Sequence, residues 1–149
     1  MLVQLLLAAP LVAANIFPSK SLIVKDNPNT LRPYVLPHLH GTLLQLGDTP
    51  FRFPITGSTT NNSFTLLTTN GDISPGLNVF AHRHVRRYEN FFCSRGGVQV
   101  WTQQYNGVQN VRKLGPGDSA HSPSNVTHTF QIVEANTDMF GVVFDGGLE

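Results

Sequence analysis

The chain has a single cysteine, Cys93, in 149 residues. No internal disulfide can form and no thiolate cluster can hold a metal, so Cys93 reads as a small buried hydrophobe. Charge is also scarce: ten Lys and Arg stand against nine Asp and Glu, for a formal net charge of +1. That balance leaves no broad field to attract nucleic acid. The densest basic run, His82-Arg83-His84-Val85-Arg86-Arg87, is short and interrupted, as a solvated loop would be. The apolar start, MLVQLLLAAPLVAA, stops short of the roughly 20 residues that cross a bilayer. It matches the core of a secretory signal, with Val12-Ala13-Ala14 offering small residues for cleavage. Residues 1–14 are therefore expected to be a signal peptide and the mature protein to be secreted, without a membrane segment. The sequons at Asn61 and Asn125 are the expected glycosylation sites.

Helical periodicity is missing as well. Pro18, Pro28, Pro33 and Pro37 keep residues 15–40 irregular, because each removes a backbone donor. From residue 41 onward, short β-rich runs alternate with turn residues. The predicted strands are Thr42–Leu46, Phe51–Thr56, Phe64–Thr69, Leu77–His84, Tyr88–Cys93, Val98–Gln103, Val108–Leu114, Thr129–Glu134 and Met139–Phe144. Gly47-Asp48, Asn70-Gly71, Gly96-Gly97, Asn106-Gly107 and Gly115-Pro116-Gly117-Asp118 separate them. Turns at roughly ten-residue spacing, with no helix between strands, predict an all-β sandwich or barrel. A chain of this length suits one domain that buries about two-thirds of its unfolded surface. Residues 41–149 are assigned to it.

Chemistry concentrates in GLNVFAHRHVRRYENFFCSRG, residues 76–96. Alternate residues of a strand share a face, so His82 and His84 would present two imidazoles to one side. A turn through Val85–Arg87 would then return Glu89 beside them. The chain contains a control: His38-Leu39-His40 has the same spacing but no carboxylate behind it and two prolines nearby. That pair is read as a surface feature.

The spacing of the whole stretch resembles the first cupin motif: Gly76, five residues, His82-x-His84, four residues, Glu89, six residues, Gly96. The second cupin motif is matched from Gly117 to His128, with Asn125 where the family has an inner glycine. Asparagine is the residue best able to replace glycine in left-handed backbone, so the change is mild. The resemblance implies a cupin double-stranded β-helix, a jelly-roll barrel, with His82, His84, Glu89 and His128 as metal ligands. Three neutral imidazoles and one carboxylate would leave a divalent metal with net charge +1 and an open position, as catalytic sites require. The donor set alone suits copper, iron, nickel, manganese or zinc.

Further segments, RPYVLPH, HVRRYENFFCSRGGVQVW, NVTHTFQI and DMFGVVFDGGLE, resemble the amino-terminal cupin of fungal quercetin 2,3-dioxygenases. That resemblance implies copper, with iron, manganese and nickel as alternatives, and a flavonol and O2 as the small-molecule partners. It also implies opening of the flavonol's central ring with loss of carbon monoxide, Glu89 being both ligand and general base. Strand parity turns Phe91 and Phe130 toward the ligands as flat walls for a polyphenol, and family correspondence adds Met139. Where the family carries a tyrosine ahead of an Arg-Phe pair, this chain has Phe51-Arg52-Phe53. The family has two cupin halves, so either a second half or a homodimer is expected to cover one apolar face. The competing readings are a cupin enzyme for another small substrate and a non-catalytic metal-binding or storage cupin.

Overall fold

Alternation of buried and open positions builds the described part of the chain. A computed structural model describes residues 34–37, 40–46 and 49–145. The expected signal, most of the irregular segment, and His38 lie outside the described residues. The strands are β1 (Thr42–Leu46), β2 (Thr49–Ile55), β3 (Phe64–Gly71), β4 (Glu89–Arg95), β5 (Val98–Gln103), β6 (Gln109–Leu114), β7 (Ser119–Ser122), β8 (Thr127–Ile132) and β9 (Thr137–Phe144). In β3, Thr65, Leu67 and Thr69 are buried while their neighbours are not. In β9, Thr137, Met139, Gly141 and Val143 are buried in the same rhythm.

Six strands form one sheet in the order β1-β2-β3-β9-β4-β7, and three form a second in the order β6-β5-β8. Every pairing is antiparallel. The inner faces share a core that includes Phe51, Phe53, Leu67, Phe91, Cys93, Val98, Val100, Phe130, Ile132 and Met139. This is the all-β architecture that the turn spacing predicts, in the jelly-roll form that the cupin resemblance implies. No helix among the described residues is long and apolar enough to cross a membrane.

Two strand assignments need correction. Leu77–His84 is not a strand: it is irregular apart from an isolated bridge between His82 and His128. It is held to β8 at separate points instead, through backbone bonds of Asn78 to Phe130 and of His82 to His128. Ser119–Ser122, absent from the predicted strands, forms β7 and pairs with β4 from Glu89 to Phe92. Four residues with two serines carry no hydrophobic alternation, so only the partner strand defines it.

Glycine is required where β4 turns into β5. Gly96 has φ +73°, and an added Cβ would lie 2.7 Å from the Cα of Thr137. The buried Thr137 hydroxyl accepts from the Gly97 N–H (3.0 Å) and donates to the Glu134 carbonyl (2.7 Å). Close approach at Gly96 thus lets one buried hydroxyl satisfy the backbone of two turns.

Candidate metal centre

Glu89 opens β4 and His128 is the second residue of β8. His82 and His84 reach the same place from the irregular stretch, which backbone bonds tie to β8 and its preceding turn. The His82 N–H donates to the His128 carbonyl (3.1 Å), and the His128 N–H returns a bond to His82 (2.8 Å). The Asn125 N–H donates to the His84 carbonyl (2.6 Å). Asn125 adopts φ 64°, the left-handed position for which asparagine substitutes for glycine. Asn78 locks the start of the stretch, accepting from the Ile132 N–H (2.6 Å) and donating to the Thr49 hydroxyl (2.8 Å).

The four side chains place one ligand atom each within 4.8 Å of all the others. Glu89 Oε2 lies 2.8 Å from His128 Nε2, 2.9 Å from His84 Nε2 and 3.9 Å from His82 Nε2. Backbone carbonyls set two of the tautomers. His82 Nδ1 is 2.8 Å from the Phe80 carbonyl, and His128 Nδ1 is 2.9 Å from the Val126 carbonyl. A carbonyl can only accept, so both Nδ1 atoms carry the proton and both Nε2 lone pairs point inward. The His128 lone pair would then face a carboxylate oxygen at hydrogen-bond distance. Two acceptors in that position need a cation between them, either a proton or a metal. Hydrogen bonds to Nδ1 that orient Nε2 inward are the usual outer support of a metal-bound histidine. The donor set fits a divalent transition-metal ion.

Without metal, protons take that role. Burial alone raises the Glu89 carboxyl, but hydrogen bonds from His128 and His84 outweigh it and hold the pKa at about 2. Burial lowers His128, yet the bond to Glu89 and the Val126 carbonyl carry its pKa above the ordinary value. Burial dominates at His82 and lowers it, keeping that ring neutral.

A cavity of about 280 Å³ opens onto His82, His84 and Glu89. Phe91 and Phe130 line it, their rings tilted with centroids 5.9 Å apart. Phe51 joins them edge-on to Phe130 at 6.2 Å. Met139 is fully buried in β9 but is not among the lining residues. The rest of the wall is Leu44, Leu46, Phe53, Leu67, Val79 and Phe80, none of them a site candidate from the sequence. Phe53 follows Phe51 by two residues along β2, so strand parity points to it, whereas Phe80 lies in the irregular stretch where no such parity holds. Leu44 and Leu46 give no such signal, since only the pairing of β1 with β2 brings them there. His40 is exposed, its carbonyl accepting from Arg52. Asn61 and Asn125 are both exposed.

No protein-family model matches the chain. Solved structures resemble its fold. Oxalate decarboxylase of Bacillus subtilis superposes with TM-score 0.60 at 18% identity, over 72% of this chain and 28% of that one. KdgF from Halomonas sp. superposes with TM-score 0.58 at 13% identity, over 71% of this chain and 89% of that one. In sequence, the chain is 43% identical to quercetin 2,3-dioxygenase of Aspergillus japonicus over 132 residues, 88% of this chain. The chain is a cupin related to the quercetin 2,3-dioxygenases. The Bacillus subtilis enzyme of the same name is 30% identical over 82% of this chain. The chain spans 38% and 34% of the lengths of these two relatives.

The proton-filled centre predicts how this cupin's stability depends on pH. His128, with its pKa raised, contributes stability that is complete below 6.5 and lost as pH rises through its folded value. Glu89, with its pKa depressed, contributes stability present above 4.5 and lost as pH falls toward about 2. Chelator-treated protein should therefore show a urea midpoint that declines above pH 6.5. Metal-loaded protein should not show that decline, since neutral His128 is then a ligand. Midpoints that decline equally with and without chelator would contradict this account of the centre.

Proposed function

We propose that this cupin is the metal-bearing unit of a copper-dependent dioxygenase that opens the central ring of flavonols such as quercetin. Two oxygen atoms of O2 would be incorporated and one ring carbon lost as carbon monoxide. One observation carries the reading: a three-histidine, one-glutamate centre opens into a cavity walled by Phe51, Phe91 and Phe130. Flat apolar walls beside a few polar groups suit a planar polyphenol. The 43% identity to a quercetin 2,3-dioxygenase supports the same substrate class. Copper is the metal proposed from that relationship, and iron, manganese or nickel would satisfy the same donors.

A bound metal would lower the pKa of the flavonol 3-hydroxyl and spread the charge of its anion. The residues supply the rest. His82, His84 and His128 hold the centre, with Nδ1–H of the first and last anchored on carbonyls. Once those imidazoles face a metal, His84 and His128 no longer donate to Glu89, and its carboxylate is free to take the substrate proton. Phe91 and Phe130 orient the rings and exclude water. Phe51 lines the same cavity without the hydroxyl of the family tyrosine, so it packs against substrate but donates no hydrogen bond. Among the described residues no Lys or Arg lines the cavity, and Arg83 is exposed. A small dicarboxylate would find no cation among these residues, which disfavours small acids as the substrate of an alternative cupin enzyme.

Secretion and assembly belong to the same proposal. Both sequon asparagines stand exposed, which supports glycosylation during export. The outer face of the large sheet carries exposed Phe92, Phe140 and Phe144, with Phe92 and Phe140 directly paired. Such a patch suits a homodimer or a second cupin half.

Four outcomes are expected. Protein purified without chelator should hold about one transition metal per chain by elemental analysis, and His84→Ala should lose it. Glu89→Gln should keep copper supplied in excess and still shift the quercetin absorbance. It should release carbon monoxide about 100- to 10,000-fold more slowly, the usual cost of a lost general base. Turnover at the parent's rate would reduce Glu89 to a ligand, and a parent that binds quercetin without turnover would establish the binding-module alternative. By light scattering the protein should be dimeric at micromolar concentration, and Phe140→Asp should shift it to monomer. A parent that stays monomeric would count against the outer face as an interface. Exported protein should lose mass on enzymatic removal of N-glycans, and an unchanged mass would refute glycosylation at Asn61 and Asn125.

A further inference from the structure

Phe80 is out of character with the other aromatic residues of the cavity. It lines the cavity yet is 92% exposed, whereas Phe51, Phe91 and Phe130 are 5%, 1% and 2% exposed. An exposed phenyl ring forgoes the stabilisation that burial would bring. Its backbone is well held. The Thr129 hydroxyl donates to the Val79 carbonyl (2.6 Å), and His82 Nδ1 donates to the carbonyl of Phe80 itself (2.8 Å). A pinned backbone therefore presents an unburied ring at the mouth of the metal cavity. Two more lining residues, Leu44 and Leu46 of β1, are 40% and 42% exposed. The mouth is a rim of three apolar side chains open to water.

The size of the cavity gives that rim a use. At about 280 Å³ it falls just short of the roughly 300–1,000 Å³ that enclose a drug-sized ligand. A flavonol whose chelating oxygens reach the centre would bring its outer rings to the rim. We propose that Phe80, with Leu44 and Leu46, forms an apolar clamp that closes on those outer rings and selects flavonols over smaller chelating hydroxy-ketones. The clamp rests on the flavonol reading and extends it to the residue that sets specificity. Only a ligand long and flat enough to reach the rim removes its apolar area from water. A small chelator leaves the rim wet and gains nothing from it.

The test compares two probes on copper-loaded protein by absorbance titration, with no turnover needed. Quercetin carries the outer rings. A simple 3-hydroxy-4-pyranone keeps the chelating oxygens and lacks those rings. Phe80→Ala should bind quercetin roughly tenfold more weakly, the scale of a lost aromatic contact. Its metal content and pyranone affinity should match the parent, and Phe80→Trp should restore quercetin binding. Unchanged quercetin affinity in Phe80→Ala overturns the clamp, and an accompanying change in mass by light scattering would reassign Phe80 to a subunit contact. Equal losses for both probes would also overturn it, since Phe80 would then act through its carbonyl on His82. A parent that takes the pyranone but not quercetin would refute the flavonol reading itself, and the clamp with it.

Discussion

The centre depends on three imidazole nitrogens aimed at a single carboxylate oxygen. With Nδ1 of His82 and His128 committed to carbonyls, their lone pairs converge on Glu89 Oε2, an arrangement that repels itself until a cation enters. Burying an unpaired carboxylate is costly, so the barrel must supply either protons on the histidines or a metal ion. The depressed pKa of Glu89 and the raised pKa of His128 express the same demand in the metal-free protein. Stability and metal affinity are therefore linked through one cluster.

Pairing of strands makes that convergence possible. Glu89 sits opposite Ser122 on β7 and Val143 on β9, which holds its side chain on the inner face. Ser122 in turn places its hydroxyl 2.8 Å from His128 Nδ1, beside the Val126 carbonyl. One strand thus supports the carboxylate through its ladder and a histidine through a side chain. The space beside the centre has a similar origin. Gly141 lies between Leu67 and Phe91 in the sheet, and a Cβ there would come within 2.7 Å of the Leu67 side chain. The missing side chain leaves room for Leu67, which lines the cavity. Ligand set and apolar wall are two products of one register.

The cluster was legible because a metal site constrains residue type and spacing together. His82-x-His84, Glu89 and His128 stand at distances along the chain that few other demands would produce, whereas a His-x-His pair alone is a weak signal. Strand parity puts His82 and His84 on one side, and the structure brings them together by a different local geometry. His82 and His84 share a direction because separate hydrogen bonds dock an irregular stretch onto β8, not because they alternate along a strand. Asn125 was read correctly from intrinsic preference, since left-handed backbone is a property of the residue itself.

By itself, the sequence determined the all-β class, most strands, most of the turns and the four residue types that cluster. Alternation, turn chemistry and donor identity are local, and each can be read within a few residues of itself. Tertiary structure alone decided that Ser119–Ser122 is a strand, that Met139 belongs to the core rather than the cavity wall, and that Leu44 and Leu46 reach the cavity. It also decided that Phe80 stands in water while the other phenylalanines of the cavity do not. Parity fixes only which side of a strand a residue takes. How deeply it lies there depends on the neighbours that pairing brings beside it, and those neighbours come from distant parts of the chain.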